Sequence, residues 1–351
     1  MKKKGDIEVI GLMSGTSLDG LDMAWCRFTD AERPHFTVLA AKTIEYPSGL
    51  KRQLENAVSL GAEDLFALDA QLGQWIGKRV GEFIEGGKSR PDLIASHGHT
   101  IFHQPERGFT VQIGNAAHIY AATGMRIISD FRSLDVALGG QGAPLVPIGD
   151  DLLFGEYTYC LNLGGIANIS YRTDDGRKAF DICACNMVLN HLAGRVGKEY
   201  DEGGNLAQSG NSIPELLSEL NKWPYLMESP PKSLGFEQIS AEIFPLLSAD
   251  LPVNDLLSTF VDHIAEQISR ACPVGGSLLM TGGGAHNTCL RERLANFRPD
   301  LELIYPDPLI VNFKEAIIFA FLGAMHEWGR VNVLSSVTGA ERDHISGQAL
   351  G

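Results

Sequence analysis

The chain has 351 residues, which fits about two domains, and 44% of them are hydrophobic, so large cores are expected and general disorder is excluded. Its formal net charge is −14, and its one basic cluster, Lys2-Lys3-Lys4, reads as a solvated terminus. That balance argues against a nucleic-acid partner.

In chain order, residues 7–28 read as strand, glycine-rich turn, strand, with the turn in "GLMSGTSLDG" and Asp19-Gly20 as a turn signal of its own. Leu65, Leu68, Leu72, Trp75, Ile76, Val80 and Phe83 recur at helical spacing and stop at Gly86-Gly87. The segment "LDVALGGQGAPLVP" at 134–147 has no long period and is a boundary candidate; its glycines at 138–142 are expected to let two domains close. Residues 157–172 repeat the hairpin design around Leu163-Gly164-Gly165, which hints at two related domains. Leu256, Leu257, Phe260, Val261, Ile264 and Ile268 predict a helix from about Asn254 to just before Pro273. At 278–290 an apolar strand runs into Gly282-Gly283-Gly284, with a helix to follow. Phe313 to Met325 is apolar but carries Lys314 and Glu315, as a buried helix does. Strands alternating with helices place the chain in the α/β class.

The start lacks a signal-peptide core, and no apolar run reaches the ~20 residues of a membrane span. Cys26, Cys160, Cys183, Cys185, Cys272 and Cys289 show no disulfide framework. A cytoplasmic protein with reduced thiols and no membrane partner is expected.

A turn of small residues converges backbone N–H groups into an anion nest. Ser14, Thr16 and Ser17 add hydroxyls to the first turn, and Asp19 or Asp22 is placed to hold Mg²⁺ through water. One such turn can be a plain hairpin, but three, each leaving an apolar strand, suggest a phosphate ligand. The G-x-x-x-x-G-K-[ST], H-R-D and D-F-G signatures are absent, and Gly282–Gly284 do not make G-x-G-x-x-G. His97, His99 and His103 suggest a metal site, but the remaining histidines show no ligand pattern.

Two phosphate hairpins and a third glycine turn resemble the actin-like ATPase and sugar-kinase superfamily. The run "MSGTSLDGLD", "SHGHTIFHQP", "QIGN", "SDFRSLDVALGGQGAPLVP", "NLGGIANIS", "FDICACN", "TGGGAHN", "KEAIIFAF" and "SVTGA" spans nearly the whole chain and is similar to the anhydro-N-acetylmuramic acid kinase family. The resemblance implies two actin-like, ribonuclease H-like domains with ATP and substrate in an interdomain cleft. The expected division is 1–131 plus 333–351, and 132–332. The implied reaction converts 1,6-anhydro-N-acetylmuramic acid, ATP and water to N-acetylmuramic acid 6-phosphate and ADP. A homodimer is implied as well.

The resemblance makes Asp181 the base for water. It assigns ATP to Gly15, Thr16, Ser17, Leu18, Asp19, Gly20, Asp22, Gly164, Gly165, Gly282, Gly283, Gly284 and Asn287. It assigns the sugar to Ser14, His97, Asp130, Arg132, Asn186 and Glu315, with Arg132 offering a planar fork to the lactyl carboxylate. Plainer readings stand beside these. Asp181, expected at the end of a strand, turns the chain or caps the next helix. Asp130 and Arg132 form an internal salt bridge, and Glu315 closes a capping box with Asn312. The family's glycines and Thr are replaced in Asp181-Ile-Cys-Ala-Cys-Asn186, which leaves the contacts of this loop open; Cys183 and Cys185 lack the further ligands a metal site needs. A kinase for another small sugar or carboxylate, and a non-enzymatic ATP-gated scaffold, remain alternatives.

Overall fold

A computed structural model describes residues 5–15, 18–29, 32–85, 90–230 and 232–351. Thr16, Ser17 and the expected helix stop at Gly86-Gly87 lie outside the described residues. Packing divides the chain into two units, Met1–Leu153 with Phe313–Gly351, and Phe154–Asn312.

In the first unit, β1 (Ile7–Ser14) and β2 (Leu21–Thr29) form the expected hairpin, from Ile7 opposite Phe28 to Ser14 opposite Leu21. β3 (His35–Ile44), β4 (Leu93–Gln104), β5 (Phe109–Ile113) and β6 (Ile127–Ser129) follow. The sheet runs β6-β4-β1-β2-β3, with β5 folded back on β4 and the strand Gln348–Leu350 beside β6. The C-terminal residues thus return to the first unit. In the second unit, β7 (Tyr159–Leu163) and β8 (Ile166–Thr173) form the second hairpin, joined by β9 (Gly176–Ala184), β10 (Gly276–Thr281) and β11 (Leu301–Ile304). That sheet runs β11-β10-β7-β8-β9. Setting β5 and the terminal strand aside, the units share one order: the first strand is central, the second is antiparallel to both its neighbours, and the fourth and fifth lie on the other side, parallel to the first. The class is α/β, and the hairpin likeness seen in the sequence extends to whole sheets.

Side-chain alternation along β1 explains how its sheet is covered. Ile10 and Leu12 enter a core with Leu68, Leu72 and Ile76 of the helix Ala62–Glu85. Gly11 faces the opposite way, under the helix Pro308–Glu327. A Cβ on Gly11 would lie 1.9 Å from the Ala316 carbonyl oxygen and 2.6 Å from the Ala320 nitrogen. That helix is the one among the described residues long and apolar enough to cross a bilayer, and 72% of its most apolar window is buried in the protein. In the second unit the helix Val253–Ala271 brings Leu257, Phe260, Val261 and Ile264 against Leu161, Ile169 and Met280.

Three local expectations are corrected. The 138–142 segment is not the joint between units. The Gln141 N–H donates to the Thr338 carbonyl (2.8 Å) and the Gly142 N–H to Asp135 Oδ2 (2.6 Å), so it is pinned inside the first unit. Residues 132–153 stay with that unit for the same reason and because Lys314 Nζ meets Asp150 Oδ1 at 2.7 Å; the divide falls at 153/154 and 312/313 rather than at 131/132 and 332/333. The capping box at Asn312–Glu315 does not form, since the helix already begins at Pro308, where Asp307 accepts from the Leu309 N–H (2.8 Å).

The Gly11 contact generates a prediction. Gly11→Ala forces β1 and the helix apart against backbone atoms, with a stability loss at or above the roughly 3 kcal/mol upper end of ordinary overpacking. Urea denaturation measures it; an unchanged midpoint would show that the helix is not seated on β1.

Candidate functional site

In the first unit β1, β4 and β6 run parallel, and their C-terminal ends bring predicted residues together, as such sheets do for ligands. Ser14 closes β1 and pairs in register with His99 of β4; Asp130 and Arg132 follow β6. Ser14 Oγ lies 2.8 Å from His99 Nδ1 and takes a hydrogen bond from the Tyr46 hydroxyl at 2.6 Å. Burial lowers the His99 imidazole to about 4, so it is neutral near pH 7.

His97 is buried, and Arg132 Nε donates to its Nε2 at 2.9 Å. Its Nδ1 is therefore the protonated nitrogen and donates to the Gly98 carbonyl at 2.9 Å. Burial first, then the Arg132 charge, push the His97 pKa well down. Arg132 Nη1 donates to the Gly142 carbonyl (2.5 Å). The expected Asp130–Arg132 salt bridge is not what holds either group: Asp130 accepts from the Ser133 N–H (3.1 Å) and Gln348 Nε2 (2.7 Å). Burial brings the Arg132 guanidinium down to about 10, opposed by Glu315 and then Asp135. Burial likewise raises Glu315, opposed by Lys314 and Arg132. Among the described contacts Glu315 has no hydrogen-bond partner, and its oxygens are not among the closed-off unpaired atoms. It is a carboxylate held ready to accept. His103 is committed to Thr110 Oγ1 at 3.1 Å, so each of the three histidines at 97–103 has its own protein partner.

Between β1 and β2, Leu18 adopts a left-handed φ of 57° and is buried. Gly15 accepts from the Leu18 N–H (3.2 Å), and Gly20 precedes β2. Asp19 is exposed. Asp22 is half-buried, accepts from Thr43 Oγ1 (2.5 Å), and is raised by burial, opposed by Thr43 and reinforced by Asp19. No group of three or more His, Cys, Asp or Glu suited to a metal occurs among the described residues. A pair of carboxylates with solvent access suits Mg²⁺, which keeps most of its waters.

In the second unit the other two glycine turns meet. Asn186 opens the helix Asn186–Gly194, and its Nδ2 donates to the Leu163 carbonyl (2.9 Å). The Gly164 carbonyl accepts from the Asn186 N–H and the Gly165 carbonyl from the Met187 N–H, both at 3.1 Å. A Cβ on Gly284 would lie 2.8 Å from Leu163 Cβ and 3.0 Å from Asn186 Oδ1, so only glycine brings the third turn this close. Gly282, with φ 80°, turns the chain out of β10, and Gly283 is exposed. Asn287 is buried as the cap of the helix Thr288–Phe297, accepting from the Leu290 N–H at 2.9 Å.

Asp181 lies inside β9 rather than at a strand end, opposite Asn168, and caps no helix. The segment 232–234 runs alongside it: its N–H donates to the Lys232 carbonyl (3.2 Å) and its Oδ2 accepts from the Leu234 N–H (2.9 Å). Burial raises its pKa to about 6, with the Leu234 N–H pulling the other way. The six cysteines are buried and in no disulfide; burial pushes up the thiols of Cys183 and Cys185 beside Asp181, so neither is a ready thiolate.

A profile of anhydro-N-acetylmuramic acid kinase matches residues 7–350. The protein of that name from Shewanella sp. (strain MR-4) is 38% identical over 361 residues, covering 96% of this chain and 97% of its own. Its counterpart from Chromobacterium violaceum is 36% identical over 360 residues, with 96% and 97% covered. The chain belongs to the anhydro-N-acetylmuramic acid kinase family. Among solved structures it is similar to (R)-2-hydroxyglutaryl-CoA dehydratase component A of Acidaminococcus fermentans, with 12% identity, a TM-score of 0.48, and 91% of this chain and 99% of that one covered.

For a member of the anhydro-N-acetylmuramic acid kinase family, the sequence motifs led to Ser14, His97, Arg132 and Glu315 but not to what holds them. Tyr46 sits just past β3 with no motif around it, and Lys232 and Leu234, which hold the backbone and the carboxylate of Asp181, are distant from it in sequence.

The raised Asp181 pKa is also a stability statement. Its folded value of about 6 exceeds the 3.8 of an ordinary aspartate, so the folded state carries a penalty above pH 6 that disappears below pH 4. Asp181→Asn is expected to raise the thermal midpoint near pH 8, with the gain fading as pH falls through 6. A pH-independent difference would refute the burial argument.

Proposed function

We propose that this chain is an ATP-dependent kinase that opens 1,6-anhydro-N-acetylmuramic acid with water and phosphorylates the released O6, giving N-acetylmuramic acid 6-phosphate and ADP. Membership of the family supports the substrate. The observation that carries the chemistry is Asp181, a half-buried carboxylate raised to about 6 with Oδ2 fixed by the Leu234 N–H. A base with this proton affinity is ionised at neutral pH yet still takes up a proton.

Asp181 takes a proton from water as the water oxygen bonds to C1 and the C1–O6 bond breaks. O6 then receives the γ-phosphoryl group, which ATP supplies, and ADP leaves. Arg132 orients the lactyl carboxylate with the donors that His97 and Gly142 leave free, and Glu315 and Ser14 accept from sugar hydroxyls or the amide. Asp130 shapes the turn after β6 through Ser133 and Gln348. The phosphates are assigned to the glycine turns Gly15–Gly20, Gly164-Gly165 and Gly282–Gly284, with Asn186 and Asn287 bracing the latter two. Mg²⁺ is assigned to Asp19 and Asp22, where it would screen phosphate charge. A cytoplasmic homodimer completes the proposal.

Reaction in ¹⁸O water tests the coupling. Label is expected at the C1 hydroxyl and none in the phosphate, read before anomeric exchange, with product soaked in labelled water as the blank. Label only in phosphate would overturn the coupled mechanism. Separately, kcat/KM for the sugar should fall on the acid side with an apparent pKa of about 6, and Asp181→Asn should lose roughly 10²–10⁴ of turnover while nucleotide still binds. Activity within a few-fold of wild type removes Asp181 from the role of base.

A further inference from the structure

Asp135 is 0% exposed, sits in the short helix Ser133–Ala137 just after Arg132, and has no part in the chemistry above. Its Oδ1 accepts from the Thr338 hydroxyl at 2.7 Å and its Oδ2 from the Gly142 N–H at 2.6 Å. The Gly142 carbonyl in turn accepts from Arg132 Nη1 at 2.5 Å, and Arg132 Nε donates to His97 at 2.9 Å. A single residue therefore passes the constraint on: Gly142 gives its N–H to Asp135 and its carbonyl to Arg132. Its φ of 68° lets the two groups point as they do, a conformation that glycine adopts without strain. The Thr338 carbonyl holds the same loop from the other side through the Gln141 N–H (2.8 Å).

We propose that Asp135 is the positioning residue that aims Arg132 at the substrate carboxylate. Nε and Nη1 of Arg132 are spoken for, so the guanidinium plane is set and Nη2 is left for a ligand. The Gly142 carbonyl fixes that plane only while its own loop is fixed, and the buried Asp135 carboxylate fixes the loop. A buried carboxylate is costly unless donors satisfy it, and here the donors come from the two segments, 140–142 and 338, that must be held together. The proposal rests on the substrate role given to Arg132 above.

The test is a double-mutant cycle on steady-state kinetics with the anhydro sugar and ATP. Asp135→Ala should raise the sugar KM roughly 10–100-fold, as small misplacements of a binding group do, with the ATP KM within about twofold. Added to Arg132→Ala, it should cost nothing more. Thr338→Val removes one of the two donors and should move the sugar KM the same way by less; it decides the matter if Asp135→Ala does not fold. A sugar KM within twofold of wild type in the folded variants, or additive losses in the cycle, overturns the proposal. If wild type itself does not turn the sugar over, the functional reading has failed. The positioning role is then judged by NMR hydrogen exchange at Arg132 Nε–H, where lost protection in both variants supports it and retained protection overturns it.

Discussion

The helix Pro308–Glu327 touches β1 with no side chain between them at Gly11, and the chemistry of the first unit depends on that approach. A helix laid directly on a strand has little freedom to slide or roll. Lys314 and Glu315 precede the contact at Ala316, so seating the helix also seats them. Lys314 then reaches Asp150, and Glu315 comes within electrostatic reach of Arg132 and Asp22. The helix is apolar enough to be mistaken for a membrane span because it packs on the sheet over most of its surface. Its two neighbouring charges are tolerated where the core gives way to polar groups.

Those groups divide into closed and open ones. Lys314 and Asp150 are almost fully buried and face one another, which leaves them little capacity for a ligand. Asp135 is likewise consumed by Thr338 and Gly142. Glu315 and Arg132 are different. Arg132 spends two donors on His97 and Gly142 rather than on Glu315, and each group feels the other without closing on it. Burying a charge without a partner costs free energy, and closing the pair would offset that cost. Keeping the two apart preserves binding capacity, and the closed pairs around them provide the rigidity that makes it possible.

The hairpins, the long helices and the three glycine turns were legible because their signals are local. A strand followed by small residues and another strand is written in some twenty consecutive positions, and helical spacing is written every three or four. Asp181 was found as a residue but misplaced at a strand end, because the strand continues through Ile182, Cys183 and Ala184. Ile182 and Cys183, which stand for the family's Thr and first glycine, are buried side chains that suit a strand. The 138–142 glycines looked like a joint for a similar reason. Composition reports that a backbone can bend, whereas the hydrogen bonds that stop it bending, donated to the Thr338 carbonyl and the Asp135 carboxylate, depend on a residue far along the chain and on how one side chain is aimed. The capping box failed because Asp307 and Pro308 start the helix a turn earlier.

One topology used twice has produced two different ends. In the first unit the parallel strands deliver side chains: Ser14, His97, His99 and, past β6, Arg132. In the second they deliver backbone: Gly282 and Gly284 approach Leu163 so closely that side chains are excluded there, and Asn186, bonded to the Leu163 carbonyl, lies against the third turn. Side chains discriminate among substrates because they differ in shape and charge, while bare peptide groups offer the same N–H array to any anion. The hydroxyls and carboxylates near the first hairpin put both kinds of group in one unit. Asp181 stands apart from the glycine turns on β9, where burial rather than a charged neighbour sets its proton affinity. A carboxylate tuned by burial keeps that affinity as long as no further charge enters its surroundings.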